Sequence, residues 1–155
     1  MRVHLVWPGK TRERHCAALI VDYLDRIQHF AQVEVTEVRE AKGARNDEQI
    51  RRIESERLIE AVSRDDYVVL LDERGKKLSS IEFSRFIAAK QQAAVKRLAF
   101  IIGPSTGASE ELKQAARSMI SLSSMTLTHE LARVVLAEQI YRAFTLLAGS
   151  PYHKA

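Results

Sequence analysis

The chain has 155 residues, 46% hydrophobic and 28% charged, the size and balance of one ordinary globular domain over residues 1–155 with a core of its own. No stretch approaches the roughly 18 consecutive apolar residues a membrane span needs, and the charged start Met1-Arg2-Val3-His4 is unlike a signal peptide, so the expected location is the cytoplasm. The single cysteine, Cys16, excludes an internal disulfide and no Cys/His cluster has metal-ligand spacing, while 24 Lys and Arg against 20 Asp and Glu leave a net charge of +4 that suits a polyanionic partner without requiring one.

Residues 2–7 read as a short strand ended by Pro8-Gly9, and Cys16, Ile20, Leu24 and Ile27 then recur at helical spacing. Residues 33–38 alternate apolar and polar with period two, as a half-exposed second strand does. A polar run over 39–46 reads as a loop free to move. Asp47 then caps a helix whose buried side carries Ile50, Ile53, Leu58, Ala61 and Val62. The continuous apolar runs 67–71 and 98–102 have the pattern of central strands covered on both faces. Between them Ser79-Ser80 caps a helix marked by Phe83, Phe86 and Ile87, and residues 119–122 suit one more strand. Alternating β and α elements imply an α/β fold with a parallel sheet and helices on its faces. No domain boundary, internal repeat or low-complexity tract interrupts it.

The last helix, over about 129–147, carries Leu131, Val134, Val135, Leu136, Ile140, Tyr141, Phe144 and Leu147 almost all the way round. A helix apolar on every side is buried on every side. If the sheet covers one face, a second copy of the chain across a two-fold axis is the natural cover for the other, and the expectation is a homodimer. The alternative is a central helix enclosed within one chain.

In open parallel sheets ligands bind beyond the carboxyl ends of the strands. Three loops there are distinctive: Asp72-Glu73-Arg74-Gly75-Lys76, Gly103-Pro104-Ser105-Thr106-Gly107, and the Ser/Thr-rich run 123–129. Gly103 and Gly107 lack dinucleotide-fingerprint spacing, and the chain has no GxxxxGK[ST] motif, which argues against a nicotinamide or ATP site. Glycines after a strand often only make a tight turn, and Ser/Thr-rich turns often only cap helices. Spacing alone leaves those readings open beside that of a shared pocket.

The run Leu-Ser-Ser-Met-Thr-Leu-Thr-His-Glu-Leu-Ala-Arg-Val-Val-Leu-Ala-Glu-Gln-Ile-Tyr-Arg-Ala-Phe over 122–144, followed by Pro151-Tyr152-His153-Lys154, resembles the large-subunit ribosomal RNA pseudouridine N3-methyltransferases of the SPOUT class. The similarity extends over nearly the whole chain, including its length, the opening strand, Leu71-Asp72 with Gly75-Lys76, and Ile102-Gly103. The resemblance implies a parallel-sheet α/β fold with a C-terminal trefoil knot, although knots run against the general rule for chain topology. It further implies that the threaded loops bind S-adenosyl-L-methionine at a dimer interface. Carried over by motif, the cofactor residues are Leu71, Gly103, Pro104, Leu122, Ser123, Ser124, Met125, Thr126 and Leu127. Pro104 stands where the family usually has a second glycine, and Thr128 where it usually has proline.

Methyl transfer to an imide nitrogen needs the donor and acceptor held in line, and either a base for the departing proton or a cation for the imide anion. His129, Arg133, Arg142 and His153 have the required chemistry. His129 could equally cap the helix start, and Arg133 could pair with Glu130 or Glu138. For the RNA, Tyr152 offers a stacking ring and Arg142, His153 and Lys154 offer phosphate contacts, against the alternative of a frayed terminus. Arg12, Arg14, Arg51, Arg52 and Lys76-Lys77 read as solvated faces. The expected partners are ribosomal RNA or an assembled ribosome and a second copy of the chain, with no metal and no membrane. A non-catalytic RNA- or ribosome-binding dimer and a small-molecule methyltransferase of the same fold are the competing functions.

Overall fold

In the computed structural model, which describes residues 1–154, five strands run parallel in the order β2-β1-β4-β3-β5: β1 (Arg2–Pro8), β2 (Val33–Val38), β3 (Tyr67–Lys77), β4 (Arg97–Ile102) and β5 (Ser118–Ser121). The expected parallel α/β class is therefore the one adopted. Side chains alternate across the sheet, so β1 sends Val3, Leu5 and Trp7 to one face and Val6 to the other. Helices α1 (Arg14–Ile27), α3 (Ser80–Gln92) and α5 (His129–Leu147) cover the first face, while α2 (Asp47–Glu60) and α4 (Glu110–Ala115) cover the second.

Local chemistry sets most boundaries. Ser79 and Glu82 form a reciprocal capping box at the start of α3, with Ser79 Oγ accepting from the Glu82 amide and Glu82 accepting from the Ser79 amide at 2.7 Å. For α2 the cap is Asn46 rather than Asp47, its Oδ1 accepting from the Gln49 amide at 2.9 Å. The buried side of α2 also differs from the expected apolar stripe: Glu54, Ser55 and Leu58 are buried, whereas Ile50 and Ile53 are only partly covered. The two polar residues are buried because they hold loops. Glu54 accepts from the Ala41 amide at 2.9 Å and Ser55 Oγ from the Ser109 amide at 3.1 Å. Arg57 completes the anchoring of the 39–46 segment by donating to the carbonyls of Arg39 and Glu40.

Two features depart from the sequence reading. Residues 72–77 continue β3 instead of leaving the sheet as a loop, with Leu71 and Lys76 both pairing with Ile120, so residues 72–75 arch outward between them. Gly75 lies so close to β5 that an added Cβ would sit 2.6 Å from the Ile120 nitrogen. The second departure is α5, which lies between α1 and α3. Tyr141 and Phe144 pack against Phe30 with ring centroids 6.2 and 5.9 Å apart, and Ser80 Oγ donates to Gln139 at 2.6 Å. Flanking helices of the same chain thus explain much of its apolar circumference, as in the alternative of a central helix enclosed within one chain. Leu131 and Leu147 remain exposed.

Candidate functional site

The loops that follow β4 and β5 and the arch in β3 surround one hollow of about 700 Å³ at the carboxyl ends of these strands, within the size range of ligand sites. All the residues expected to hold the cofactor line it except Ser124, which is exposed beside it. Each loop is shaped by its own hydrogen bonds. After β4, the Gly107 amide donates to the Pro104 carbonyl at 2.9 Å, and Gly107 has φ +97°, a value open to glycine. Arg51 Nε reaches across from α2 to donate to the Thr106 carbonyl at 2.9 Å. Arg51 is therefore a strut of the pocket rather than a member of a solvated face. After β5, Ser121 Oγ donates to the Ser123 carbonyl at 3.0 Å and Ser123 Oγ accepts from the Met125 amide at 2.9 Å. In the β3 arch, Asp72 accepts from the Arg74 amide at 2.8 Å.

The two departures from the family pattern are accommodated locally. Buried Pro104 supplies only its carbonyl to the turn, so its missing N–H leaves no donor unpaired there. Thr128 is the N-cap of α5, its hydroxyl accepting from the Leu131 amide at 3.3 Å. His129 is consequently not the cap. Its imidazole stands at the edge of the hollow, and burial, reinforced by the nearby Arg133 charge, holds its pKa below the ordinary histidine value. The ring is neutral at neutral pH and able to accept a proton. One further polar atom lines the hollow without a partner, the buried hydroxyl of Thr106. That orphaned hydroxyl and the loop backbone are polar neutral surfaces of the kind that take an adenosine or an amino-acid moiety, so the lining is compatible with S-adenosyl-L-methionine.

The remaining expected residues fall elsewhere. Arg133 is 4% exposed and faces the turn after β1, donating to Thr11 Oγ1 at 3.0 Å and to the Pro8 carbonyl at 2.6 Å, with its guanidinium 5.0 Å from the centre of the Trp7 ring. It forms no ion pair with Glu130 or Glu138. Arg142, Tyr152 and His153 gather around Glu138 toward the C-terminal half of α5, outside the lining of the hollow. Glu138 Oε1 accepts from Arg142 at 2.5 and 3.0 Å and from the Tyr152 hydroxyl at 3.1 Å, while Arg142 Nη1 meets His153 Nδ1 at 3.2 Å. The Tyr152 ring lies edge-on to Tyr141 with centroids 4.7 Å apart. Burial, then the Tyr23 hydroxyl and the Glu138 charge, push the Tyr152 phenol well above its usual range. The tail is folded back onto α5 rather than frayed, and Lys154 at its end is exposed.

Among the described residues, no group of three or more His, Cys, Asp or Glu is placed to hold a metal ion, and no helix is long and apolar enough to cross a membrane. A family model described as predicted SPOUT methyltransferase matches residues 1–153. Similar curated proteins include the ribosomal RNA large subunit methyltransferases H of Geobacter sulfurreducens (44% identical over 153 residues), Christiangramia forsetii (43% over 155) and Bacteroides fragilis (41% over 155), each match covering 99% of both chains. Among solved structures, the probable rRNA-methyltransferase from Porphyromonas gingivalis superposes with a TM-score of 0.54 at 14% identity, covering 94% of this chain and 69% of that one, a likeness of fold alone. Matched from end to end by the family model and by relatives of this similarity, the chain belongs to the SPOUT methyltransferase family.

Proposed function

We propose that the chain is an S-adenosyl-L-methionine-dependent methyltransferase acting on large-subunit ribosomal RNA, with N3 of a pseudouridine as acceptor. The observation that carries this reading is the hollow at the strand ends, which collects Leu71, Gly103, Pro104, Leu122, Ser123 and Met125 to Leu127 and has a neutral imidazole at its edge. The relatives' names supply the ribosomal RNA. The arched and looped segments around the hollow are those that a trefoil knot in this family would thread, and the knot is part of the proposal.

In this reading the donor, when bound, supplies an electrophilic methyl group on its sulfonium. The chain does the rest. Loops 103–107 and 122–127 hold the adenosine and methionine portions, and the Asp72 and Glu73 carboxylates on the β3 arch oppose the donor's positive charge. His129 accepts the imide proton, which its lowered pKa permits at neutral pH. Arg142, Tyr152, His153 and Lys154 hold RNA. Because this cluster stands apart from the hollow of its own chain, the proposal includes a homodimer in which the tail of one protomer serves the donor pocket of the other. The exposed Leu131 and Met125, near the start of α5, are apolar surface that such an association would cover.

The test is transfer of labelled methyl from S-adenosyl-L-methionine to ribosomes and to free ribosomal RNA, with donor binding followed by calorimetry. Transfer to either RNA substrate with the label on a pseudouridine is the expected result. Donor binding without transfer to any RNA would move the function to a small-molecule acceptor, and RNA binding without donor binding would make the protein a non-catalytic ribosome-associated dimer.

A further inference from the structure

Beside the donor hollow lies a second one of about 370 Å³, between the turn after β1, the loop after β2 and the first turn of α5. Ser105 and His129 line both, so a group seated in the second hollow is next to the donor. Its chemistry is that of an anion seat. Arg133, which lines it, is 4% exposed and has no carboxylate within ion-pair distance among the described residues, and its buried Nε has no hydrogen-bond partner. An uncompensated guanidinium in the interior is costly, and an arriving anion offsets that cost. Burial depresses the Arg133 pKa, with Glu37, Glu130 and Glu40 only partly opposing, which is the same statement seen from the proton.

The three carboxylates that line the hollow act on Arg133 only from beyond ion-pair distance, since each is held elsewhere, and the four cations Lys10, Arg12, Lys42 and Arg133 outnumber them. Glu40 pairs with Arg12 at 3.1 Å, Glu54 accepts from the Ala41 amide at 2.9 Å, and Glu130 accepts from the amides of Arg12 and Glu13. Exposed Lys10 and Lys42 also line the hollow, and their ammonium groups make no hydrogen bond or ion pair with any described residue. We propose that this hollow seats a phosphodiester of the RNA strand carrying the acceptor, in the same subunit as the donor, with Arg133 as its buried anchor and Lys10 and Lys42 as its mobile outer ligands. The inference rests on the proposed RNA methyltransferase function and deepens it: the tail would hold the RNA from one side and this seat from the other.

The test compares two charge-matched double variants. Lys10→Gln/Lys42→Gln removes the outer cations of the seat, and Lys90→Gln/Lys96→Gln removes the same charge near the opposite, amino end of the sheet. Binding of a fluorescent single-stranded RNA is measured over a salt series, and donor affinity by calorimetry. The expected result is a five- to tenfold loss of RNA affinity for the first pair beyond any loss for the second, unchanged donor affinity, and a salt slope shallower by about 0.7 for each phosphate no longer neutralised. Arg133→Lys, which keeps the charge without the guanidinium fork, should lose less than Arg133→Gln; because either could unfold, the exposed lysine pair decides the matter. Equal losses in the two lysine pairs would overturn the seat. If the native protein also methylates ribosomes in that case, the enzyme assignment stands without it. If it methylates nothing yet the first pair selectively loses RNA, the seat stands and the enzyme assignment falls.

Discussion

The donor hollow draws its lining from segments scattered between Arg51 and Ala132, whereas the tail cluster comes from residues 138–153 alone, and the two are built on opposite physical plans. The hollow is concave, framed by three loops whose shapes are fixed by internal hydrogen bonds such as Arg51 to Thr106 and Met125 to Ser123, and it leaves the Thr106 hydroxyl unpaired. The tail cluster bonds mostly to itself: Glu138 accepts from both Arg142 and Tyr152, and His153 Nδ1 meets the same arginine while its buried Nε2 has no partner. A preorganised cavity gains affinity because little must be rearranged on binding. Arg142 and Tyr152 must give up their bonds to Glu138 before they can hold anything else, so the contrast separates a binding step that is ready in the free chain from one that waits for RNA or a second subunit.

The strongest way to sharpen that contrast is to fill the hollow. Gly103 has ordinary space around a Cβ, with Ala108 Cβ at 3.7 Å, so the backbone tolerates a side chain there and only its bulk matters. Gly103→Trp should leave a folded protein and reduce donor affinity by at least about a hundredfold, equivalent to roughly 2.7 kcal/mol. Normal donor binding in a folded Gly103→Trp would place the donor elsewhere. His129→Ala acts on turnover instead and is expected to lower kcat by about 10² to 10⁴ with donor affinity retained. The pH profile carries the sign. Because the imidazole pKa is lowered in the folded protein, the neutral base persists to below pH 6.5, and the acid limb of kcat should fall there and vanish in the alanine variant. Folding stability has the same sense: protonation of His129, and of similarly depressed His4, is disfavoured in the native state, so stability present above pH 6.5 is lost as the pH falls through their folded pKa values.

The smallest binding effect is expected at the tail. Deleting residues 152–155 should leave donor affinity unchanged and lower methylation severely. Because Tyr152 packs on Tyr141 and bonds to Glu138, the deletion should also lower Tm by a few degrees, where loss of a frayed end would change nothing. Tyr152→Ala alone should remove about 1–3 kcal/mol of stacking on a base, read as weaker RNA binding. Undiminished methylation by the truncated chain would end the distinction between a donor region and an acceptor region.

Periodicity is a good guide wherever burial alone decides structure. The runs 67–71 and 98–102 are central strands, and residues 129–147 are the observed α5. It fails where polar residues are buried for a partner distant in sequence. Glu54 and Ser55 lie on the inner side of α2 because they anchor residues 41 and 109, which no local pattern announces. Helix α4 has six residues and one buried apolar side chain, Leu112, too little for a hydrophobic period; its signal is the Ser109-Glu110-Glu111 start, with Ser109 as cap. The charged residues 72–77 resemble a loop because β5 is short and holds only their end, through Lys76 and Lys77. The donor residues are legible through family resemblance rather than chemistry. The isolation of Arg133 from the donor hollow is not legible at all, since burial of its guanidinium depends on the Pro8 and Thr11 turn reached across 125 and 122 positions.

The strand order has a consequence for how the chain comes to be folded. β1 lies between β2 and β4, so during synthesis it gains one neighbour with residues 33–38 and none on its other side until residues 97–102 exist. The last helix then closes the structure by packing against α1, the first. A nascent chain therefore holds an exposed apolar strand edge through most of its synthesis, and parallel pairings between distant segments form slowly. Helix α5 is thus a latch between segments far apart in sequence, setting Tyr141 against Tyr23 of α1.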